Sequence, residues 1–258
     1  MTPEDDTIVR ALYKFVPNLK RASNRALSVY LPARAEGFDV RHYDIELGQL
    51  RRRYRERLDK EEREIMEREL ARLREHLEVV KPAGSPALAG FGDEPVGLLE
   101  IVNLPMETEA RLEVGALLLA PIERQLEQIP PALIAVVDKE HARLFAAVLD
   151  AVHPLEHMQG VQVKRNKAGG SSAPSNQRKA DNRTKANLER VIDVIGHEVR
   201  SGEYLRIFVA GPEHARAELE RLMPPPLRRL LAGHLSAEID SPRLQHELRE
   251  QLVLARSN

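Results

Sequence analysis

The sequence predicts a mixed α+β, α/β-type fold in two parts: a small sheet with a long helix, then a larger mixed sheet with helices packed on it. Three observations carry this reading. Short apolar runs bounded by Gly, Pro or Asp recur in both halves and read as strands. One helical pattern runs from about Asp44 to Glu78. Ile129-Pro130-Pro131 then breaks the chain near its middle. The expected boundaries are residues 1–130 for an N-terminal α/β domain with a long charged helix, and 131–258 for the second domain.

The elements follow in order. Ile8, Val9, Leu12, Phe15 and Val16 have helical spacing. In ALSVYLPA, Leu27, Val29 and Leu31 alternate with smaller or polar neighbours, and Pro32 closes a strand. In the long pattern, Leu50, Tyr54, Leu58, Ile65, Met66, Leu70, Leu73 and Leu77 mark one face. Arg and Glu fill the others at spacings that pair across a turn. RRRYRER is offset at once by DKEEREIMERE, so this charge reads as a solvated helix face rather than an RNA-binding one. KPAGSP is a turn; ALAGF, VGLLEIVNLP and ARLEVGALL are strands. Leu117–Gln128 is a helix with Pro121 in its first turn, where proline is tolerated.

The second half opens with ALIAVVD, whose continuous apolar run suits a strand buried on both faces. KEHARLFAAVL fits a short helix or a strand, and the hairpin turn available at Asp138 favours the strand; AVHPLEHM and GVQVKR continue the meander. Asn187–Arg200 is a helix with Leu188, Val191, Ile192, Val194, Ile195 and Val199 on its apolar positions. YLRIFVAG is a buried strand. PEHARAELERLM and PPPLRRLLAGHL read as helices, SAEID as a short strand, and SPRLQHELREQLVLA as a last helix with Ser241 as N-cap.

Composition excludes several functions. There is no cysteine among the 258 residues, so disulfides, thiol catalysis and Cys-based zinc sites are out. Aromatics are 4% and Trp is absent, which disfavours a base-stacking platform. No run is long and apolar enough for a membrane span, and the acidic start MTPEDDTIVRAL is not a signal peptide. The expectation is a cytoplasmic protein without a membrane partner. Net charge is −1, so attraction to nucleic acid must come from a local patch.

Such a patch exists. From Val161 to Arg190, eight Lys or Arg stand against Asp181 and Glu189. Its centre is KRNKAGGSSAPSNQRKADNRT, about 164–184, which reads as a basic loop suited to a phosphate backbone. Gly169-Gly170 allows the main chain a close approach to a ligand. No G-x-x-x-x-G-K-[ST] pattern is present, so the loop is not a nucleotide P-loop. Asp138, Asp150 and Asp193 could form a nuclease metal set on a ribonuclease-H-like sheet, but surface and turn carboxylates explain them as well. His153 and His157 are four apart with Pro154 between them, and read as ordinary histidines. No metal and no cofactor is expected. Ser171, Ser172 and Ser175 have no identifiable His-Asp pair nearby.

GGSSAPSNQRKADNRTKANLERV resembles the loop and helix of the central domain of the class I peptide chain release factors of eukaryotes and archaea. It resembles more closely their bacterial and archaeal relatives, a group that includes Vms1-like peptidyl-tRNA hydrolases and release-factor-like proteins of ribosome hibernation. PALIAVVDKEHARLFAAVLDAV is similar to the opening strand pair of that domain, and YLRIFVAGPEHARAELERLMPPPLRRLLAGHLSAEID to its closing segment. The resemblance implies a ribonuclease-H-like mixed sheet and a Gly-Gly loop that enters the peptidyl transferase centre. It implies Gly169, Gly170 and Gln177 as the catalytic set for peptidyl-tRNA hydrolysis in ribosome rescue. Lys164, Arg165, Lys167, Arg178, Lys179, Arg183 and Lys185 would bind RNA. Ribosomal RNA and tRNA would be the partners, with a translational GTPase left open. The release factors carry Gly-Gly-Gln, whereas the third position here is Ser171. Any hydrolysis must then rest on Gln177; without it the protein would be a non-catalytic ribosome binder.

Overall fold

The computed structural model describes residues 10–33, 39–82, 84–160 and 173–257. The chain divides into two compact units, Met1–Ile129 and Pro130–Asn258.

The first unit is built on four antiparallel strands: β1 (Ala26–Pro32), β2 (Ala87–Asp93), β3 (Leu98–Leu104) and β4 (Arg111–Gly115), in the order β3-β2-β1-β4. Val29 of β1 sits between Gly90 and Leu112 in register. Its neighbours Leu27 and Leu31 join it in a core with side chains from two helices.

Those helices replace the single long one that the spacing suggested. α1 (Val40–Arg55) and α2 (Lys60–Val80) are separate and pack on each other. The break has a clear cause. The Asp59 carboxylate accepts from the Glu62 amide at 2.9 Å, and the Glu62 carboxylate accepts from the Asp59 amide at 2.9 Å. This reciprocal capping box starts a new helix. The pattern hid it because Leu58 and Ile65 stand seven apart and keep the stripe in phase across the turn. Tyr43, Leu47 and Leu50 of α1 and Met66, Leu70, Leu73 and Leu77 of α2 fill the core.

One buried charge ties α2 to the sheet. Glu69 is fully buried and pairs with Arg68 at 2.9 Å and Arg72 at 2.5 Å, while accepting the Glu94 amide at 3.0 Å. Gly92 makes room for it: a Cβ there would lie 2.8 Å from a Glu69 oxygen. Helix α3 (Ala120–Gln128) closes the unit, with proline in its first turn.

The second unit has five strands: β5 (Ala132–Val137), β6 (His141–Val148), β7 (Ala151–Gln159), β8 (Arg206–Ala210) and β9 (Leu231–Leu235), in the order β7-β6-β5-β8-β9. Strand β6 runs antiparallel to its neighbours, while β5, β8 and β9 are parallel. This is the expected mixed sheet with helices packed on it. All six residues of β5 are buried, so both faces of the sheet are covered.

Helix α4 (Ala173–Arg200) contacts β5 and packs against α5 (Glu213–Leu222). A one-turn helix α6 (Pro225–Arg228) follows. Leu244, Leu248 and Leu252 of α7 (Leu244–Ser257) pack on Ile134, Phe145 and Phe208. Ser241 accepts the Arg243 amide at 3.2 Å and donates to Glu247 at 2.5 Å, three residues before α7 begins.

Two expectations here change. LAGHL is strand β9 rather than the end of a helix, and SAEID is not a strand. Leu231 and Leu235 are four apart, a spacing that a helix and one face of a strand share. Gly233 weakens the helix, and the open edge of β8 supplies the ladder. Among the described residues no helix is long and apolar enough to cross a membrane.

Candidate nucleic-acid interface

The basic stretch is less of a loop than its sequence suggests. Helix α4 begins at Ala173, so Gln177, Arg178, Lys179 and Arg183 all lie on it. Gln, Arg, Lys and Ala are good helix formers, and Pro174 falls in the first turn, where its missing amide hydrogen costs nothing. Periodicity missed this portion because it has no apolar residue to repeat.

The helix therefore has two unlike halves. From Asn187 onward it is anchored: Asn187, Leu188, Val191, Ile192 and Ile195 are buried. From Arg178 to Ala186 nothing is buried; Ala180 and Thr184 are half-buried and the rest exposed. Between Ala173 and Asn187 the helix rises about 21 Å at about 1.5 Å per residue. Arg178, Lys179, Arg183 and Lys185 lie on this outer half, all exposed. Lys185 approaches Glu189 at 3.6 Å across one helical turn. Lys164, Arg165, Lys167, Gly169 and Gly170 lie outside the described residues, as does the side chain of Gln177. In sequence, Gly169 and Gly170 precede Ala173 by four and three positions.

The foot of the outer half is a fixed point. The β5–β6 turn is held by Asp138, whose Oδ1 accepts the amides of Glu140 and His141, each at 2.6 Å. Its two central carbonyls are both taken. Asn187 donates from Nδ2 to Lys139 O at 3.1 Å, and the Gly160 amide donates to Glu140 O at 2.6 Å. Gly160 and Asn187 touch: a Cβ on Gly160 would fall 2.4 Å from Cγ and Oδ1 of Asn187. The sequence marks Asn187 only as the start of a helix and gives Gly160 no role. The available signals were a glycine ending a strand and an amide at the first buried position of a helix.

The alternative sites do not assemble. Asp138 is committed to its turn, Asp150 is paired with Arg249, and Asp193 is exposed on α4. His153 and His157 both lie on β7, where four residues span about 13 Å, too far to share one metal ion. Burial holds the His153 imidazole below its usual pKa. Among the described residues no group of His, Asp or Glu could hold a metal ion.

Residues 118–256, spanning α3 and the whole sheet-and-helix body that carries α4, match the model of bacterial archaeo-eukaryotic release factor family 10. The chain belongs to this family. None of the curated protein sequences matches it. Among solved structures, this family 10 chain is similar to the archaeal translation termination factor aRF1, at 18% identity over 96% of this chain and 71% of that one, with a TM-score of 0.37. It is also similar to Archaeoglobus fulgidus Pelota, at 11% identity over 66% of this chain and 48% of that one, with a TM-score of 0.34. A third similarity is to S. cerevisiae Dom34, described as a translation termination-like factor of RNA quality control, at 8% identity over 64% and 53% of the two chains and a TM-score of 0.28.

Proposed function

We propose that this family 10 protein is a ribosome-associated, release-factor-like protein that carries Gly169-Gly170 into the peptidyl transferase centre and hydrolyses peptidyl-tRNA there, rescuing stalled ribosomes. The observation that carries this is the outer half of α4: a helical stretch with exposed cations and, from Arg178 to Ala186, no buried residue, preceded in sequence by the Gly-Gly pair. A protein that enters an RNA-walled cavity needs a slender cationic shaft, because each phosphate it meets must be neutralised. Arg178, Lys179, Arg183 and Lys185 suit that task, with Lys164, Arg165 and Lys167 preceding them in sequence.

The chemistry asks little of the protein. Water attacks the ester carbonyl, the bond to the ribose oxygen of the tRNA breaks, and that oxygen takes up the proton. RNA and substrate already orient the ester, so the protein's part is to place the water. Gln177, a neutral amide on the first turns of α4, can do this without changing its own protonation. The partners are large-subunit ribosomal RNA and tRNA.

A second reading is favoured by one residue. Ser171 follows Gly-Gly where the release factors carry Gln, and without a competent amide the same shaft would serve a non-catalytic, hibernation-type ribosome binder. One assay separates the two. Large subunits carrying labelled peptidyl-tRNA are incubated with the wild type, with Gln177→Ala, and with Gly169→Ala/Gly170→Ala. Release by the wild type that is lost in both variants supports hydrolysis. Tight subunit binding with no release supports the second reading. No binding at low salt overturns both.

A further inference from the structure

We infer that Asn187 and Gly160 are positioning residues that aim the outer half of α4. The inference rests on the proposed use of that half as a probe for RNA, but its geometry is independent of whether hydrolysis occurs.

Three observations lead here. First, an amide is a poor choice for a buried helix position. Asn187 is only 6% exposed and heads a series whose other members are Leu188, Val191, Ile192 and Ile195. A buried amide is costly unless bonded, and Asn is a weaker helix former than Leu. If burial were its only purpose, an apolar side chain would serve better.

Second, the amide is spent on direction. It bonds the carbonyl of Lys139 in the β5–β6 turn, and the next carbonyl of that turn, Glu140 O, takes the amide of Gly160. Gly160, the last residue of the outgoing segment, and Asn187, the first buried residue of α4, are thus fixed at two consecutive carbonyls of one turn. That turn is itself held by two hydrogen bonds to Asp138. Third, the contact is tight enough to demand glycine, since any Cβ at position 160 would overlap the Asn187 amide. The overlap is with a short side chain whose hydrogen bond fixes it, so it cannot swing aside without releasing Lys139 O.

The two residues therefore hold the foot of the outer half of α4, and in this inference they act without touching substrate. They act through the helix: Asn187 sets where the rigid shaft starts, and Gly160 sets how closely the outgoing strand lies against it.

The absence of cysteine makes the test clean. Spin labels on Asn182→Cys, in the outer half, and Arg206→Cys, at the start of β8, report the distance between shaft and sheet in the full chain. The parent gives one narrow distribution. Asn187→Ala and Gly160→Ala each broaden or shift it, while thermal unfolding stays cooperative. Adding Gly160→Ala to Asn187→Ala brings no further change, because the methyl now has room; such non-additivity is the mark of a direct contact. In the subunit assay with unlabelled protein, the release rate at saturation falls by up to about 100-fold, the scale of a misplacement of about 1 Å, and subunit affinity changes less.

Unchanged distance distributions in both variants would overturn the inference. So would altered distributions with a parental release rate. If Gly160→Ala does not fold, Asn187→Ala removes the hydrogen bond without the clash and decides the matter alone. A parent that releases nothing defeats the hydrolytic reading; the distributions then still judge the aim of the helix.

Discussion

Helices α2 and α4 are both long, charged and mounted on a sheet, yet they are held in opposite ways. Helix α2 is buried along its length, from Ile65 to Leu77, and its charges are answered locally. Arg51 of α1 meets Glu67 at 2.7 Å, Arg74 meets Asp44 at 2.5 Å, and Glu69 holds two arginines at once. Helix α4 is buried from Asn187 onward, and between Arg178 and Ala186 it adds cations without a buried residue. Similar composition therefore serves two purposes. In α2 the charge is the solvated back of a core helix. In α4 it lies on a stretch that adds nothing to the core from Arg178 to Ala186, the stretch proposed above to meet RNA. Burial along the helix distinguishes them; charge count does not.

Four measurements can break or sharpen that contrast. The largest effects belong to buried positions on both helices. Leu73→Ala in α2 and Ile195→Ala in the anchored half of α4 should each cost about 3 kcal/mol in urea unfolding, the scale of a core cavity. Thr184→Ala in the outer half should stay within about 0.5 kcal/mol. An outer-half cost as large as the core cost would erase the distinction.

The next effect tests the break between α1 and α2. Asp59→Ala removes the capping box and should cost about 1 kcal/mol, visible as a lower urea midpoint with an unchanged slope. A smaller stability effect, within about 0.5 kcal/mol, is expected for Arg178→Gln/Lys179→Gln. The same pair should lower the salt dependence of ribosome binding by about 0.7–0.9 in log–log slope per cation removed. Equal treatment of Arg52 and Arg53 on α1 should leave that slope alone.

The smallest effect lies in β7, the strand that brings the chain to the foot of α4. Burial lowers the His153 pKa, so the unfolded chain takes up a proton just below pH 6.5 while the folded one does not. Stability from this group is complete above about pH 6.5, the ordinary imidazole value. It declines as pH falls toward the depressed folded value. His153→Gln should flatten that part of the stability–pH curve.

What the sequence disclosed follows from the kind of signal each element sends. β5 and β8 were readable because strands buried on both faces are continuous apolar runs. The split between α1 and α2 was not, because Leu58 and Ile65 keep a common phase through the turn. The start of α4 was invisible because a helix without a core-facing stripe has no period to detect. β9 was mistaken because Leu231 and Leu235 satisfy two periodicities at once. In the candidate site the cations were plain in the sequence, but their placement on a helix was not. Gly160 and Asn187 were silent, since each matters only through the other and they stand 27 positions apart.

The partial burial of α4 also has a mechanical side. A helix seated at Asn187 and running about 21 Å to Ala173 is a lever, with its fulcrum at the β5–β6 turn. A tilt of about 3° at the fulcrum moves the far end by about 1 Å, since arc length is radius times angle over that helical rise. Substitutions beneath the fulcrum would thus be felt most where no one would look for contact with them, at the opposite end of the helix. The length of the helix magnifies every small error made at its seat.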